Sequence, residues 1–149
     1  MPLSIVEIPV AGKEHLVYNV IMSPKPDNHK IIFLVEDDTF LSSILTARMS
    51  ELYTIRSFAT AEELLKALIT DKPDLILLDI YLPGLNGLDA LEQLRQHHDT
   101  AKLPVIVVSN TDDQKDRSRA MKLGAHFMIK AMTDPGDIMK KVNETLTTL

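Results

Sequence analysis

Pro73-Asp74-Leu75-Ile76-Leu77-Leu78-Asp79-Ile80-Tyr81-Leu82-Pro83-Gly84-Leu85-Asn86-Gly87 decides the fold. Leu75 to Leu78 is a short apolar run without polar alternation, the pattern of a strand buried on both faces in a parallel sheet covered by helices. A carboxylate cannot stay unpaired in such a layer, so the strand ends at Asp79, with that side chain at the carboxyl edge of the sheet. Leu82-Pro83-Gly84 then turns the chain, and an amphipathic stretch opens near Gly87 behind Asn86. Strand, acid, turn and helix together form a unit that builds sites.

Upstream and downstream the same unit recurs. From Ile31 the chain reads as strand and helix five times over, which predicts a parallel sheet with helices on both faces. The first strand is Ile31 to Val35, and its helix runs from Asp38 or Thr39 to about Leu52 with Leu41, Ile44, Leu45 and Met49 inward. Thr54 to Phe58 is the second strand; Thr60-Ala61-Glu62-Glu63 is a capping box for a helix carrying Leu64, Leu65 and Leu68. Leu88, Leu91 and Leu94 face inward from the third helix, which His97 and His98 close. Val105 to Val108 is the fourth strand, followed by a second capping box at Thr111-Asp112-Asp113-Gln114. Phe127-Met128-Ile129 is the fifth, and Thr133-Asp134-Pro135 starts a last helix reaching about Leu146.

Residues 1–30 stand apart from this pattern. Leu3 to Val10 and His15 to Met22 flank Ala11-Gly12-Lys13-Glu14 and read as a β-hairpin, joined to the rest by the polar, proline-bearing Ser23 to Lys30. A hairpin of that size is not stable alone and must pack on the main body or on a second copy of the chain. The division expected is an extension over 1–30 and one domain over 31–149.

Composition narrows the chemistry. The 149 residues are 45% hydrophobic with no run of membrane-spanning length and no signal-peptide core, which makes a cytoplasmic globular protein the expectation. The formal net charge of −5, with no basic stripe, argues against direct DNA binding. Without cysteine there are no disulfides, thiolate metal sites or thiol nucleophiles.

The residues at the strand ends carry the function. Strand one ends in Glu36-Asp37-Asp38, strand three in Asp79, strand four in Ser109 and strand five in Lys130. Parallel strands put these ends on one edge, where ligands bind in open α/β sheets. Carboxylates gathered there repel one another unless protons or a cation compensate, and an all-oxygen donor set favours Mg²⁺. Asp38 is spent on the helix cap. A nearby lysine and a serine hydroxyl suit phosphate held on an acid.

These motifs resemble the receiver domain of response regulators, the phosphoacceptor of two-component signalling. The resemblance runs from about Lys30 to Leu146. It rests on Ile32-Phe33-Leu34-Val35-Glu36-Asp37-Asp38, on Asp79 with Leu82-Pro83 and Asn86-Gly87, on Pro104 to Ser109, and on Gly124-Ala125 with Lys130. It implies a flavodoxin-like, doubly wound five-stranded parallel sheet of order 2-1-3-4-5, here with an N-terminal β-hairpin extension. It further implies that Asp79 accepts a phosphoryl group from a histidine kinase or phosphotransfer protein. Mg²⁺ would then be held by Glu36, Asp37, Asp79 and the Tyr81 backbone carbonyl, and Ser109 and Lys130 would bind the product. Ser109 and Phe127 would form the conformational switch, and Tyr81 and Thr111 would shield the phosphoryl group.

Departures from the family pattern fall near Lys130. Ala131 follows it where proline is usual, which predicts a trans bond with a shifted loop, or else a strained cis bond. The span from Gly124 to Lys130 is one residue short, and Asn110 stands where a small residue is commoner. The expected role is a signalling domain, not an enzyme, with no attached effector, acting on a downstream protein and with homodimerisation open to it. The alternative is a pseudo-receiver, an interaction module independent of phosphorylation. An aspartyl-phosphate phosphatase would need a second acid where Tyr81 stands, and a flavin site would need a phosphate cradle where the acids stand.

Overall fold

The computed structural model describes residues 29–148, together with two short strands further upstream. These are β1 (Val6–Ile8) and β2 (Leu16–Tyr18), paired antiparallel with Glu7 opposite Val17. The expected hairpin pairing is thus present, while its loop, its connector and what it packs against lie outside the described residues. No helix among the described residues is long and apolar enough to cross a membrane.

The main sheet contains β3 (Ile31–Val35), β4 (Thr54–Phe58), β5 (Leu75–Asp79), β6 (Val105–Ser109) and β7 (His126–Ile129), all parallel, in the order β4-β3-β5-β6-β7. Counted within the domain this is the expected order 2-1-3-4-5. Five helices connect and flank the strands: α1 (Thr39–Met49), α2 (Ala61–Ala67), α3 (Gly87–Gln96), α4 (Gln114–Lys122) and α5 (Pro135–Thr147). Alternate residues of the central strands point to opposite faces and so build two cores. Phe33, Val35, Ile76, Leu78, Val105 and Val107 pack with α2, α3 and α4, including Leu64, Leu88, Leu91 and Ala120. Ile32, Leu34, Leu75, Leu77, Ile106 and Val108 pack with α1 and α5 through Leu45, Met49, Ile138 and Val142.

Helix starts agree with the sequence reading apart from two corrections. Thr60 accepts the Glu63 N–H as a cap should, but the Glu63 carboxylate reaches past it to the Ala59 N–H. For α4 the cap is Asp113, whose Oδ1 accepts from Lys115 and Asp116, and not Thr111, whose own N–H donates to Ser109 Oγ. Helix α1 stops at Met49, three residues before the expected end, and Leu52 lies exposed beyond it. At α5 the Asp134 cap, the reciprocal Asp137 contact and Pro135 in the first turn are all in place.

One close approach ties the central strand to its helix. A Cβ added at Gly87 would lie 2.0 Å from the Asp79 carbonyl oxygen and 3.0 Å from Ile80 Cα, so only glycine fits there. The Gly87 N–H meanwhile donates to the Ile80 carbonyl at 2.8 Å.

Candidate functional site: an acid cleft at the sheet edge

The register brings the strand ends together. Val35 pairs with Leu78 and Asp79 with Val108, so the residues after β3 and the ends of β5 and β6 reach the same edge. Glu36, Asp37, Asp38, Phe40, Leu41, Asp79, Tyr81, Asn110, Lys130 and Ala131 line an open cleft of about 570 Å³ there.

Within it Glu36, Asp37 and Asp79 each offer a carboxylate oxygen, all within 4.8 Å of one another. Glu36 and Asp79 are buried, 6% and 3% exposed, while Asp37 is open to solvent. Lys130 Nζ lies 2.6 Å from Glu36 Oε2 and donates to Asp79 Oδ2 at 3.0 Å. Glu36 Oε1 accepts the Asp38 N–H, and Asp38 Oδ1 caps α1 by accepting from Phe40 and Leu41. Asp79 Oδ1 is buried and has no hydrogen-bond partner among the described residues.

One ammonium shared by buried carboxylates is held tightly but does not satisfy them all. Burial opposes the Lys130 charge, yet its bonds to Glu36 and Asp79 outweigh that and keep its pKa above the ordinary lysine value. Glu36 is pushed above the ordinary glutamate range, first by burial and then by the neighbouring Asp79, against the Lys130 hydrogen bond. The donor set is all oxygen, one face is solvent-accessible, and an unpartnered buried oxygen points to missing positive charge. Those features suit a hard divalent cation of the Mg²⁺ class.

Of the residues expected from sequence, Glu36, Asp37, Asp79, Tyr81 and Lys130 share the cleft. Ser109 does not line it: its side chain is fully buried at the end of β6, with Oγ accepting the Thr111 N–H at 3.2 Å. Phe127 also lies away from the acids, packed against the α3/α4 core with the Arg117 guanidinium 4.9 Å above its ring. Asn110, which stands where a small residue is commoner, lines the cleft. No cis peptide bond occurs among the described residues, so Lys130–Ala131 is trans, and Lys130–Met132 forms a single 3₁₀ turn.

Two residues that shape the site escaped the sequence. Glu62 on α2 holds the turn after β5: its Oε1 accepts the Leu85 N–H at 2.7 Å, which keeps its carboxyl below the usual glutamate value. Asp116 on α4 accepts the Tyr81 hydroxyl at 2.6 Å, and that bond holds the phenol above the ordinary tyrosine value. Both read in sequence as acids favouring a helix N-terminus, and nothing in their spacing distinguishes them from that role.

Residues 32–143 match the response regulator receiver domain family. Among curated proteins the chain is 39% identical over 116 residues to the transcriptional regulatory protein CpxR of Klebsiella pneumoniae, covering 77% of this chain and 48% of that protein. It is 36% identical over 76 residues to protein PilH of Pseudomonas aeruginosa, covering 51% of this chain and 63% of that one. The chain therefore spans less than two thirds of these relatives' length. A CheY-like response regulator receiver domain protein from Methanospirillum hungatei superimposes with a TM-score of 0.75 at 26% identity, over 81% of this chain and 96% of that one. The matched span takes in nearly all of β3, most of α5 and every element between them, and the chain belongs to the response regulator receiver domain family.

Proposed function

We propose that the chain is a phosphoacceptor of a two-component phosphorelay, with Asp79 as the residue that carries the phosphoryl group. The observation that carries this reading is Asp79 Oδ1, a buried carboxylate oxygen without a partner beside two further acids and Lys130. An Asp79 oxygen attacks the phosphorus of a phosphohistidine on a sensor kinase or phosphotransfer protein. The P–N bond breaks, its electron pair stays on the imidazole, and an acyl phosphate forms on Asp79. Glu36, Asp37, Asp79 and the Tyr81 carbonyl would hold Mg²⁺, which when bound neutralises charge on the phosphoryl oxygens.

Lys130 is already beside Asp79 and needs only to exchange a carboxylate oxygen for a phosphoryl oxygen. Ser109 Oγ accepts the Thr111 N–H and would have to turn out of the core to donate to the phosphoryl group. Moving Ser109 towards the phosphoryl group pulls on Thr111, while Phe127 repacks on β7. This is a shift between two conformations that the phosphoryl group biases. Chemically the domain catalyses its own modification and then signals through a downstream protein, with 31–149 as the receiver and 1–30 as an extension.

Intact mass after incubation with Mg²⁺ and acetyl phosphate tests the reading on the native chain and on Asp79→Asn. A Mg²⁺-dependent gain of one phosphoryl group in the native chain alone is expected. A chain that gains none and binds neither Mg²⁺ nor beryllofluoride is an interaction module that does not use phosphorylation.

A further inference from the structure

Tyr81 is fixed at both ends. Its backbone follows Asp79 by two residues and its side chain lines the acid cleft, while its hydroxyl crosses to α4 and donates to Asp116 Oδ2 at 2.6 Å. The side chain is half exposed, so packing alone does not hold it. What holds it is the bond to Asp116, with the Thr111 side chain a second and weaker neighbour of the phenol, and Asp116 is itself immobilised. The Asp116 N–H donates to the Asp113 cap, Arg117 is paired with Asp112, and Arg119 reaches from α4 to both Asp89 and Glu92 on α3 at 2.7 Å. Asp116 does not line the cleft.

We infer that Asp116 is a positioning residue that sets the lifetime of the phosphoryl group, by pinning the Tyr81 ring as the α4-side wall of the cleft. The inference rests on the phosphoacceptor reading and adds to it a residue that touches neither phosphate nor metal. Loss of the phosphoryl group requires a water oxygen to attack phosphorus. The P–O bond to Asp79 breaks, its electron pair returns to the carboxylate, and inorganic phosphate leaves with one of the water's protons while the other passes to the phosphate or to solvent. A pinned ring restricts the approach of that water, and a ring released from Asp116 samples positions that open the wall. The same bond ties the mobility of the wall to α4, so a partner that displaces α4 would shorten the lifetime without entering the cleft.

The test tracks the decay of the phosphorylated mass after acetyl phosphate is removed. It compares the native chain, Asp116→Ala, Asp116→Asn, Tyr81→Phe, and Asp116→Ala combined with Tyr81→Phe. Asp116→Ala and Tyr81→Phe each shorten the half-life by about fivefold, the factor carried by one ordinary hydrogen bond. The double variant is no faster than Tyr81→Phe, because that variant has already lost the bond to Asp116. Asp116→Asn keeps an acceptor oxygen and restores most of the lifetime. Decay of Asp116→Ala at the native rate overturns the inference, as does an acceleration that persists in full in the Tyr81→Phe background. A native chain that takes up no phosphoryl group and binds neither Mg²⁺ nor beryllofluoride overturns the phosphoacceptor reading, and this inference with it.

Discussion

Lys130 Nζ sits 2.6 Å from Glu36 Oε2, with both side chains almost closed to solvent. The lysine therefore occupies, as an internal cation, the carboxylates that would receive a metal. As a metal ligand Glu36 would have to release the lysine, and the two cations would then compete. In Lys130→Gln the apparent Mg²⁺ affinity is expected to tighten on the order of tenfold, within the usual range of site-to-site coupling. Calorimetric titration checks this, and an unchanged or weaker affinity would show that the lysine does not oppose the metal.

Glu36 links the site to pH. Its folded pKa is raised, so the folded state binds that proton more tightly than the unfolded chain does. The stabilising contribution is present below the ordinary value of 4.5 and is lost as pH rises through the folded value. Above the folded value the ionised Glu36 lowers stability. Glu36→Gln should accordingly melt at or above the native temperature at pH 7, converge with it towards pH 4, and lose the rise in Tm that Mg²⁺ confers on the native chain. A clear fall in Tm at pH 7 would reverse this account.

Gly87→Ala tests the close approach of α3 to the strand that carries Asp79. The added methyl would meet backbone atoms of Asp79 and Ile80, which cannot swing aside as a side chain can. A loss of about 2–3 kcal/mol in urea unfolding is expected, at the upper end for overpacking. A change under half of that would mean the helix shifts freely.

Arg95 supports the opposite edge of the sheet. Its Nε donates to the Leu123 carbonyl at 2.7 Å, and its Nη1 donates to the carbonyls of Leu103 and Ala101 at 2.8 and 3.2 Å. Burial draws its pKa below the ordinary arginine value, and no carboxylate among the described residues pairs with it. Arg95→Ala should cost about 2–3 kcal/mol by leaving those carbonyls unpaired. Arg95→Lys should recover little, because a single ammonium cannot fork between both segments. Recovery by lysine in thermal melts would show that charge, not geometry, matters.

The backbone plan was open to reading because the three central strands announce themselves by unbroken apolar runs that give way to a polar residue, while Thr54 to Phe58 was read from its place in the strand-helix alternation. Leu75 to Leu78 is the clearest case and lies fully buried as expected, while Asp79 at the sheet edge is buried as well, which the apolar run did not announce. The acids and Lys130 were legible for the same reason, since parallel strands leave their ends nowhere else to go. What sequence could not supply was contact between residues on different elements. Ser109 reads as a cleft residue but is turned into the core by its bond to Thr111. Thr111 itself looks like a helix cap, because Asp113 offers the same chemistry two positions later. Asp116 and Glu62 looked like ordinary first-turn acids, and Gly87 like a helix opener. Their roles depend on Tyr81, Leu85 and the Asp79 carbonyl, which only the folded chain brings to them.

The missing Cβ at Gly87 bears on how such a domain diverges. Helix α3 is locked to the strand of Asp79 by main-chain contact, an attachment that no surface substitution can adjust. Among the attachments of α4 are charged and aromatic side chains: Asp116 to Tyr81, Arg119 to Asp89 and Glu92, and Arg117 to Phe127. Exchange of an Arg119 or Arg117 pair alters the rest position of α4 and leaves the acid cleft intact, whereas exchange of Asp116 also frees the Tyr81 wall. A lineage carrying this scaffold can thus acquire new partners on the α4 side in single steps, while position 87 and the strand beneath it stay frozen.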